Sequence, residues 1–110
     1  MELREEHRDN NLVVAVAGRL DVIASPELET RLLAVIDTGV QILVLDVSKL
    51  EYISSAGLRV LIVVAKKIRA EGGDMVFSGA DLNIKKILDI SGFTKMFKIV
   101  DSPDDAFSAK

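Results

Sequence analysis

The sequence has no cysteine, no tryptophan and few aromatic residues of any kind. Aromatic residues account for 5% of its 110 residues, whereas 49% are hydrophobic. The missing thiols exclude disulfides, thiolate catalysis and zinc–sulfur sites, and they suit a cytoplasmic protein. The core must therefore consist mainly of Val, Ile, Leu and Ala. A chain of this length predicts one domain, residues 1–110.

The sequence also lacks a long basic run and a long apolar run. Its net charge is −3, and its densest basic group is Lys66, Lys67 and Arg69. Because affinity for nucleic acid depends mainly on neutralising phosphates, we expect no nucleic-acid partner. The longest apolar run, residues 60–65, is far shorter than the ~20 residues that span a bilayer. The N-terminus is too polar for a signal peptide, so we expect a cytoplasmic chain that is not inserted in a membrane.

Few residues could support catalysis or hold a cofactor. The single histidine, His7, lies in a polar N-terminal arm, and one histidine without convergent ligands does not make a metal site. Ser54 and Ser55 lie where a strand passes into a helix, but no G-x-S-x-G elbow surrounds them. The glycine patterns that cradle phosphates are also absent. We therefore expect a protein that is not an enzyme and that carries no metal and no cofactor.

Short strands alternate with helices along the chain. The strand patterns lie at 2–8, 12–18, 41–47, 74–79 and 97–100. The helical patterns lie at 25–36, about 57–71, 82–91 and after Ser102. This alternation predicts an α/β sandwich, in which helices pack against a small mixed sheet and right-handed crossovers join the parallel strands.

Local signals place three of these elements more closely. A turn signal at residues 9–11 predicts that the first two strands form a hairpin. Residues 41–47 are almost continuously aliphatic, which predicts a central parallel strand covered on both faces. Ser25 is expected to be the N-cap of the first helix, with Pro26 at its first helical position.

Both later helices contain several apolar residues. In the helix at 57–71, the residues expected on one apolar face are Leu58, Leu61, Ile62, Ala65 and Ile68. In the helix at 82–91, the apolar residues are Leu82, Ile87, Leu88 and Ile90. Both helices are therefore expected to pack against the sheet.

Asp46, at the end of the central strand, raises a second interpretation. The phosphoacceptor aspartate of response-regulator receiver domains lies at such a position. Those domains also need an acidic pair after their first strand and a lysine after a later strand. Here the early strand is followed by the single Asp21, and the strand at 74–79 runs into Ser-Gly-Ala. The receiver interpretation is therefore rejected.

The segment EYISSAGLRVL, residues 51–61, places two serines between a strand and a helix. Serine is a preferred N-cap and contributes about 1 kcal/mol over alanine there. Gly57 would allow close backbone packing. Taken alone, the segment is explained by helix capping at a tight turn, and a site of chemical modification is the alternative.

Four segments, taken in order, match one family pattern. LVLDVSKLEYISSAGLRVL (43–61) combines an aliphatic strand, a short loop and a D-S-[ST/A]-G-L-like helix start. GRLD (18–21) matches G-x-[LI]-[DT], and GGDM (72–75) matches G-G-x-[FLM]. ILDISGFTKMFKIVDS (87–102) resembles [LF]-x-x-[ST]-G-[LF]-x-x-[ILF]-F. Together they resemble STAS domains, and specifically bacterial anti-sigma factor antagonists, over residues 12–108.

The resemblance implies a STAS fold, with a small mixed sheet, an N-terminal hairpin and about four helices. The family's phosphorylated serine, two residues before the glycine, falls on Ser55. Ser54, the alternative acceptor, stands where the family usually has aspartate. The residues expected to contact a partner are Asp21, Ser25, Ile53, Ser54, Ser55, Ala56, Gly57 and Leu58.

The resemblance also implies a mechanism. The unphosphorylated chain would bind an anti-sigma factor that is a GHKL-type serine kinase, and a sigma factor would be released. Phosphorylation of Ser55 would prevent this binding, and a serine phosphatase would reset the switch. STAS proteins also act in sensory assemblies, two-component pathways and lipid-transport complexes. The alternative is therefore a STAS scaffold or regulatory subunit that is not controlled by phosphorylation.

Overall fold

A computed structural model of the chain describes residues 1–108. The strands are β1 (Glu2–Arg8), β2 (Asn11–Leu20), β3 (Ile42–Asp46), β4 (Leu50–Ile53), β5 (Asp74–Ser78) and β6 (Lys98–Val100). The helices are α1 (Ser25–Ile36), α2 (Ser55–Ala70), α3 (Leu82–Ile90), α4 (Phe93–Met96) and α5 (Pro103–Ser108). Within this part of the chain, each helix is too short or too polar to cross a bilayer.

The strands form one mixed sheet in the order β1-β2-β3-β5-β6, and β4 pairs with the C-terminal part of β2. β1 and β2 form the predicted antiparallel hairpin, and β3 is the predicted central strand, parallel to β2 and β5. The predicted mixed α/β architecture is therefore confirmed. Residues 1–108 hold five helices rather than about four, because Gly92, with a φ of +84°, separates the short α4 from α3.

β2 is long enough to serve two parallel partners. Its residues 12–15 pair with 43–46 in β3, and its residues 18–20 pair with 50–53 in β4. β2 changes partner between Ala15 and Gly18, and the β2–β4 ladder shifts register after Gly18, whose φ of +94° lies in the region that favours glycine. β4, which no strand pattern predicted, therefore ends at the same sheet edge as β2.

The main core lies between one face of the sheet and helices α1–α4. Leu12 of β2, Leu43 of β3 and Phe77 of β5 are fully buried there. Leu28 of α1 and Ile68 of α2 are fully buried against them. As the sparse aromatic content predicts, aliphatic side chains supply most of this core.

The predicted apolar face of α2 is wrong at one position. Ile62 is 38% exposed, whereas Val60 and Val64 are buried. The rotation of the helix is set at its start, where Gly57 packs directly against Leu20. Because Val60 and Val64 follow Gly57 at helical spacing, they turn toward the core with it.

The start of α1 also differs from the prediction, and Ser25 as its N-cap is wrong. Ala24 occupies the N-cap position, and no side chain caps the helix there. Instead, Oδ1 of Asp21 accepts the N–H groups of Ile23 and Ala24 at 3.1 and 2.9 Å, which makes an Asx turn. Ser25 consequently lies inside the first turn, 2% exposed, and its hydroxyl donates to the carbonyl of Asp21 at 2.6 Å.

Three phenylalanines join β5 to α4 within the core. The ring centre of Phe77 lies 5.7 Å from that of Phe93 and 6.4 Å from that of Phe97, both in edge-to-face geometry. The guanidinium of Arg69 in α2 lies 4.1 Å from the ring centre of Phe97 and also binds the backbone carbonyl of Met96. α4 is therefore fixed to both the sheet and α2.

The opposite face of the sheet carries a smaller apolar cluster beneath α5. Val44 is fully buried at this face and packs with the partly buried Phe107. The guanidinium of Arg8 lies 5.3 Å from the ring centre of Phe107 and binds the carboxylates of Glu6 and Asp104. The hydrogen bonds to these two carboxylates raise the pKa of Arg8. α5 is thereby tied to the hairpin.

Candidate functional site

Two chain segments meet where β2 and β4 end. Leu20 and Ile53, the last residues of these strands, are paired in the parallel ladder. Asp21 and Ser54, which follow them, therefore leave the sheet side by side. The loop after β2 and the turn that begins α2 thus form one continuous part of this sheet edge.

Ser54 is the N-cap of α2 and lies beneath the turn, 8% exposed. Its hydroxyl accepts the N–H of Gly57 at 3.0 Å and donates to the carbonyl of Leu20 at 2.9 Å. Its backbone N–H donates to the same carbonyl at 2.9 Å. Ser54 therefore fastens the start of α2 to the end of β2, and its hydroxyl is used as both donor and acceptor.

Ser55 is the first residue of α2 and is exposed to solvent. The helix therefore begins two residues before the predicted start near residue 57. Among residues 1–108, no partner holds the Ser55 hydroxyl in a hydrogen bond. The first N–H groups of α2 lack intrahelical acceptors, and the helix dipole favours negative charge at this end. Ser55 is thus an accessible hydroxyl at a position that tolerates an anion.

Gly57 allows α2 to approach the end of β2 closely. A Cβ added at this position would lie 2.8 Å from Cγ of Leu20 and 3.0 Å from the carbonyl oxygen of Leu20. Because the backbone oxygen cannot move away easily, a larger residue would push α2 off the sheet. Gly57 therefore helps to set the distance between the start of α2, which carries Ser54 and Ser55, and the end of β2.

The residues predicted to contact a partner fall into two groups in the structure. The buried members are Ser25, Ile53, Ser54 and Gly57. The exposed or half-buried members are Asp21, Ser55, Ala56 and Leu58. In this conformation Asp21, Ser55 and Ala56 present side chains to solvent, and Leu58 packs partly buried against the main core. The first group holds the turn in place from below.

The two serines are expected to contribute very differently to stability. Ser54→Ala should lower the free energy of unfolding by about 1–2 kcal/mol, because it removes an N-cap and a buried hydroxyl bond. Ser55→Ala, at an exposed position, should change it by less than about 0.5 kcal/mol. Urea denaturation followed by circular dichroism compares the two. Equal losses in both variants would contradict this division of roles.

Two exposed aliphatic side chains adjoin Asp21. Val22 and Ile23, on the loop between β2 and α1, are 68% and 87% exposed. The sequence interpretation gave them no role. The sequence did contain a signal for this exposed pair, because two aliphatic residues stand between the end of a strand and the start of a helix, where polar residues are usual. They add an apolar component to the surface around the turn.

Two arginines also lie around the turn and had no predicted role. Arg59 is exposed and follows Ser55 by one helical turn, so both residues lie on the same face of α2. Arg19 is paired with Tyr52 in the β2–β4 ladder, and its guanidinium lies 4.4 Å from the ring centre of Tyr52. The i, i+4 spacing of Ser55 and Arg59 was the signal available in the sequence.

The single histidine lies far from the serine turn. His7 pairs with Leu12 in the hairpin, and Leu12 precedes the end of β2 by about 26 Å of extended strand. His7 is therefore not placed to act as a base for Ser55. Within residues 1–108, no group of three or more His, Asp or Glu side chains is arranged to hold a metal ion.

Comparison with known sequences gives one consistent family. Residues 2–106 match the family described as STAS domain. The chain is 35% identical over 109 residues to BtrV of Bordetella bronchiseptica, which has been assigned the role of anti-sigma factor antagonist; the match covers 99% of this chain and 94% of BtrV. The anti-sigma-B factor antagonist of Bacillus subtilis is 27% identical, and the match covers 86% of this chain and 85% of that protein.

Solved structures share the fold. An anti-sigma factor antagonist from Mycobacterium paratuberculosis has a TM-score of 0.87 and 28% identity, over 97% of this chain and 91% of that one. The Bacillus cell fate determinant SpoIIAA in its phosphorylated form has a TM-score of 0.79 and 16% identity, over 96% of each chain. At this lower identity the likeness to SpoIIAA concerns the fold alone.

Proposed function

The chain belongs to the STAS domain family, and from this premise we propose that it is an anti-sigma factor antagonist that acts as a single STAS domain. With Ser55 unmodified, it binds an anti-sigma factor, and a sigma factor is released. The anti-sigma factor is a GHKL-type serine kinase that phosphorylates Ser55 and so ends the binding. A serine phosphatase restores it. In this cycle the chain is a binding partner and a substrate, not an enzyme.

The observation that carries the proposal is the different burial of the two serines. The Ser54 hydroxyl is buried and makes two hydrogen bonds, whereas Ser55 is exposed. A kinase must align the accepting hydroxyl with the γ-phosphate of ATP, which requires a hydroxyl that it can reach. This difference supports Ser55 rather than Ser54 as the acceptor, even though Ser54 replaces the aspartate usual in the family.

The surroundings of Ser55 support partner binding at the same place. Protein interfaces combine an apolar centre with a polar rim. The exposed Val22 and Ile23 supply apolar surface beside the turn. Asp21 and Arg59 supply charges of both signs around it. The proposed interface therefore extends from the start of α2 to the loop between β2 and α1.

A phosphate on Ser55 would act at this interface without unfolding the domain. It would add about −1.5 to −2 charges at pH 7. The N-terminus of α2 favours an anion, and Arg59 lies one turn further along the helix. A partner surface formed for a neutral hydroxyl would instead have to desolvate the phosphate, at a cost of up to several kcal/mol. The switch thus rests on local electrostatics.

Site mapping after incubation with the cognate kinase and ATP tests the proposal. We expect one phosphate on the chain, at Ser55, because only this hydroxyl of the turn is accessible. Ser55→Ala should lose the incorporation, and the less stable Ser54→Ala should keep it at Ser55. Tandem mass spectrometry locates the label.

Two outcomes of the mapping would contradict the proposal. Label on Ser54 would overturn the assignment of the acceptor. The second outcome is that the chain carries no phosphate and is recovered in a large homomeric assembly or together with transporter subunits. This result would favour a STAS scaffold that is not controlled by phosphorylation.

A further inference from the structure

The segment from Leu82 to Val100 differs in charge from the rest of the chain. It contains four lysines and one aspartate, a net charge of +3, whereas the remaining residues contain ten basic and sixteen acidic side chains, a net charge of −6. No sequence pattern revealed this excess, because the lysines are spread over three elements, α3, α4 and β6. The fold gathers those elements together.

The lysines of this segment are exposed, and within residues 1–108 none of them forms an ion pair. They are Lys85, Lys86, Lys95 and Lys98. The one acid of the segment, Asp89, accepts the hydroxyl of Thr94 at 2.7 Å. In α2, by contrast, Lys67 and Arg69 each pair with carboxylates. No ion pair within residues 1–108 therefore offsets the charge of these four lysines, and the acidic Asp81 and Asp101 flank the segment in the sequence.

Exposed apolar side chains lie among these lysines. α3 buries Ile84 and Leu88, while Leu82 and Ile90 are 81% and 85% exposed. Leu82, Lys86 and Ile90 follow one another at i, i+4 spacing, so they form one stripe along the outer face of α3. The stripe alternates apolar, cationic and apolar side chains.

Two open grooves adjoin the stripe. The residues that line the first are Leu82, Asn83, Lys85, Lys86, Asp89, Thr94 and Ile99. The second, formed by residues 94–99, shares Thr94 and Ile99 with the first and continues past Lys95 and Lys98. We call this region the α3–α4 surface, and its defining residues are Leu82, Lys85, Lys86, Ile90, Lys95 and Lys98.

We infer that the α3–α4 surface binds an acidic amphipathic helix of a second protein. Leu82 and Ile90 are two helical turns apart, about 12 Å, which matches the spacing of apolar residues two turns apart on a facing helix. The unpaired lysines complement carboxylates beside those apolar residues. The stripe of apolar and cationic side chains fits the facing side of such a helix, and the vesicle experiment below distinguishes it from an anionic bilayer.

This inference goes beyond the proposed switch. None of the defining residues of the α3–α4 surface belongs to the serine turn or to the loop between β2 and α1. The charge that phosphorylation adds at Ser55 is therefore not part of the surface. The chain can hold the second protein whether or not the anti-sigma factor is bound, provided that the two partners do not collide.

An NMR titration of the isotope-labelled full chain tests the inference directly. The probe is a synthetic helix of about 18 residues made of glutamate, with leucine at every third or fourth position. We expect its addition to shift backbone amide signals of α3, α4 and β6. Lys85→Glu with Lys86→Glu should weaken binding ~10-fold or more, because attraction becomes repulsion. Leu82→Ser with Ile90→Ser should weaken it to a similar degree.

Matched controls separate a specific surface from general charge. The control variant carries Arg4→Glu and Lys49→Glu, at two exposed cations outside the α3–α4 surface. Its net charge changes by the same amount as that of the Lys85→Glu, Lys86→Glu variant, and its affinity for the probe should be almost unchanged. Ser55→Asp should also bind it normally, which keeps this test separate from that of the switch. A probe with lysine in place of glutamate should not bind.

Four results would overturn the inference. The first two are the absence of amide shifts at about 1 mM probe and shifts that lie outside α3, α4 and β6. The third is that the Arg4, Lys49 control variant loses as much affinity for the probe as the Lys85, Lys86 variant. The fourth is that Ser55→Asp binds the probe more weakly than the unmodified chain. A different result would identify an anionic membrane as the partner of this surface. In that case the chain would not bind the probe but would sediment with phosphatidylserine vesicles, and the Lys85→Glu, Lys86→Glu variant would not sediment with them.

Discussion

Replacing Ser55 with aspartate is expected to weaken binding of the cognate anti-sigma factor ~100-fold relative to the unmodified chain. Such a change corresponds to about 2.8 kcal/mol, within the range for an unpaired charge buried at an interface. Ser55→Ala should bind like the unmodified chain, because it adds no charge and leaves the cap of α2 in place. The contrast between the two variants isolates charge from the loss of the hydroxyl.

Isothermal titration calorimetry with the purified anti-sigma factor measures both affinities. Thr30→Asp on the exposed side of α1 is a control that adds the same charge away from the turn, and it should change the affinity less than threefold, about 0.6 kcal/mol. The aspartate variant should remain folded, because an acid is favourable in the first turn of a helix. Equal affinities for the aspartate and alanine variants would show that charge at residue 55 does not control binding.

Replacing Phe77 with alanine is expected to lower the free energy of unfolding by about 3–5 kcal/mol. Phe77 is fully buried and makes edge-to-face contacts with both Phe93 and Phe97. Its removal would therefore open a cavity under α4 and remove two aromatic contacts at once. Since domains of this kind are stable by about 5–15 kcal/mol, the loss is a large share of the total.

Urea denaturation of Phe77→Ala measures this loss as a fall in the transition midpoint. Ile90→Ala is a control, because Ile90 is 85% exposed and its truncation should change stability by less than about 0.5 kcal/mol. A loss below about 1 kcal/mol for Phe77→Ala would show that Phe93 and Phe97 close over the space, contrary to the tight packing described above.

The hairpin and the central strand could be predicted from the sequence because local signals decide them. The turn at residues 9–11 joins two extended segments that are adjacent in the chain, so no distant contact is needed to pair them. β3 is almost wholly aliphatic, a composition typical of a strand covered on both faces. In both cases composition and spacing leave few other structures.

β4 could not be predicted in the same way, because its evidence lies in a distant part of the chain. Its four residues include the exposed Glu51 and Tyr52, and they have too short a pattern to indicate a strand. They become one because β2 extends past Gly18 and offers its last residues as a partner. Pairing between segments far apart in the sequence, rather than local preference, makes this strand.

The start of α1 and the inner face of α2 illustrate a second limit. Serine before proline is a sound capping signal, but Asp21 supplies the turn first, and Ser25 is drawn into the helix. Similarly, both Ile62 and Val64 are apolar, and contact with Leu20 at the start of α2 decides which of them turns inward. At α1 a second local signal decides the start of the helix, whereas at α2 a tertiary contact decides which side chain is buried.

The sequence pattern located the candidate site, and the family resemblance favoured Ser55 as the acceptor, but neither revealed the structural role of Ser54. The pattern identifies a serine turn, but Ser54 and Ser55 are chemically identical in sequence. Their difference arises because Ser54 meets the end of β2 and Ser55 does not. The exposure of Val22 and Ile23 likewise depends on how the loop after β2 folds, which composition alone does not reveal.

The double use of the Ser54 hydroxyl has a consequence for exchanging recognition loops between relatives. Aspartate, the residue usual in the family at this position, could still accept the N–H of Gly57. When ionised, however, it could not donate to the carbonyl of Leu20, and its oxygens would face that carbonyl unfavourably. Because that carbonyl belongs to the backbone, no side-chain substitution at residue 20 would relieve the contact. An acidic loop grafted into this protein would therefore lose one of the two hydrogen bonds by which Ser54 holds the start of α2 to the end of β2.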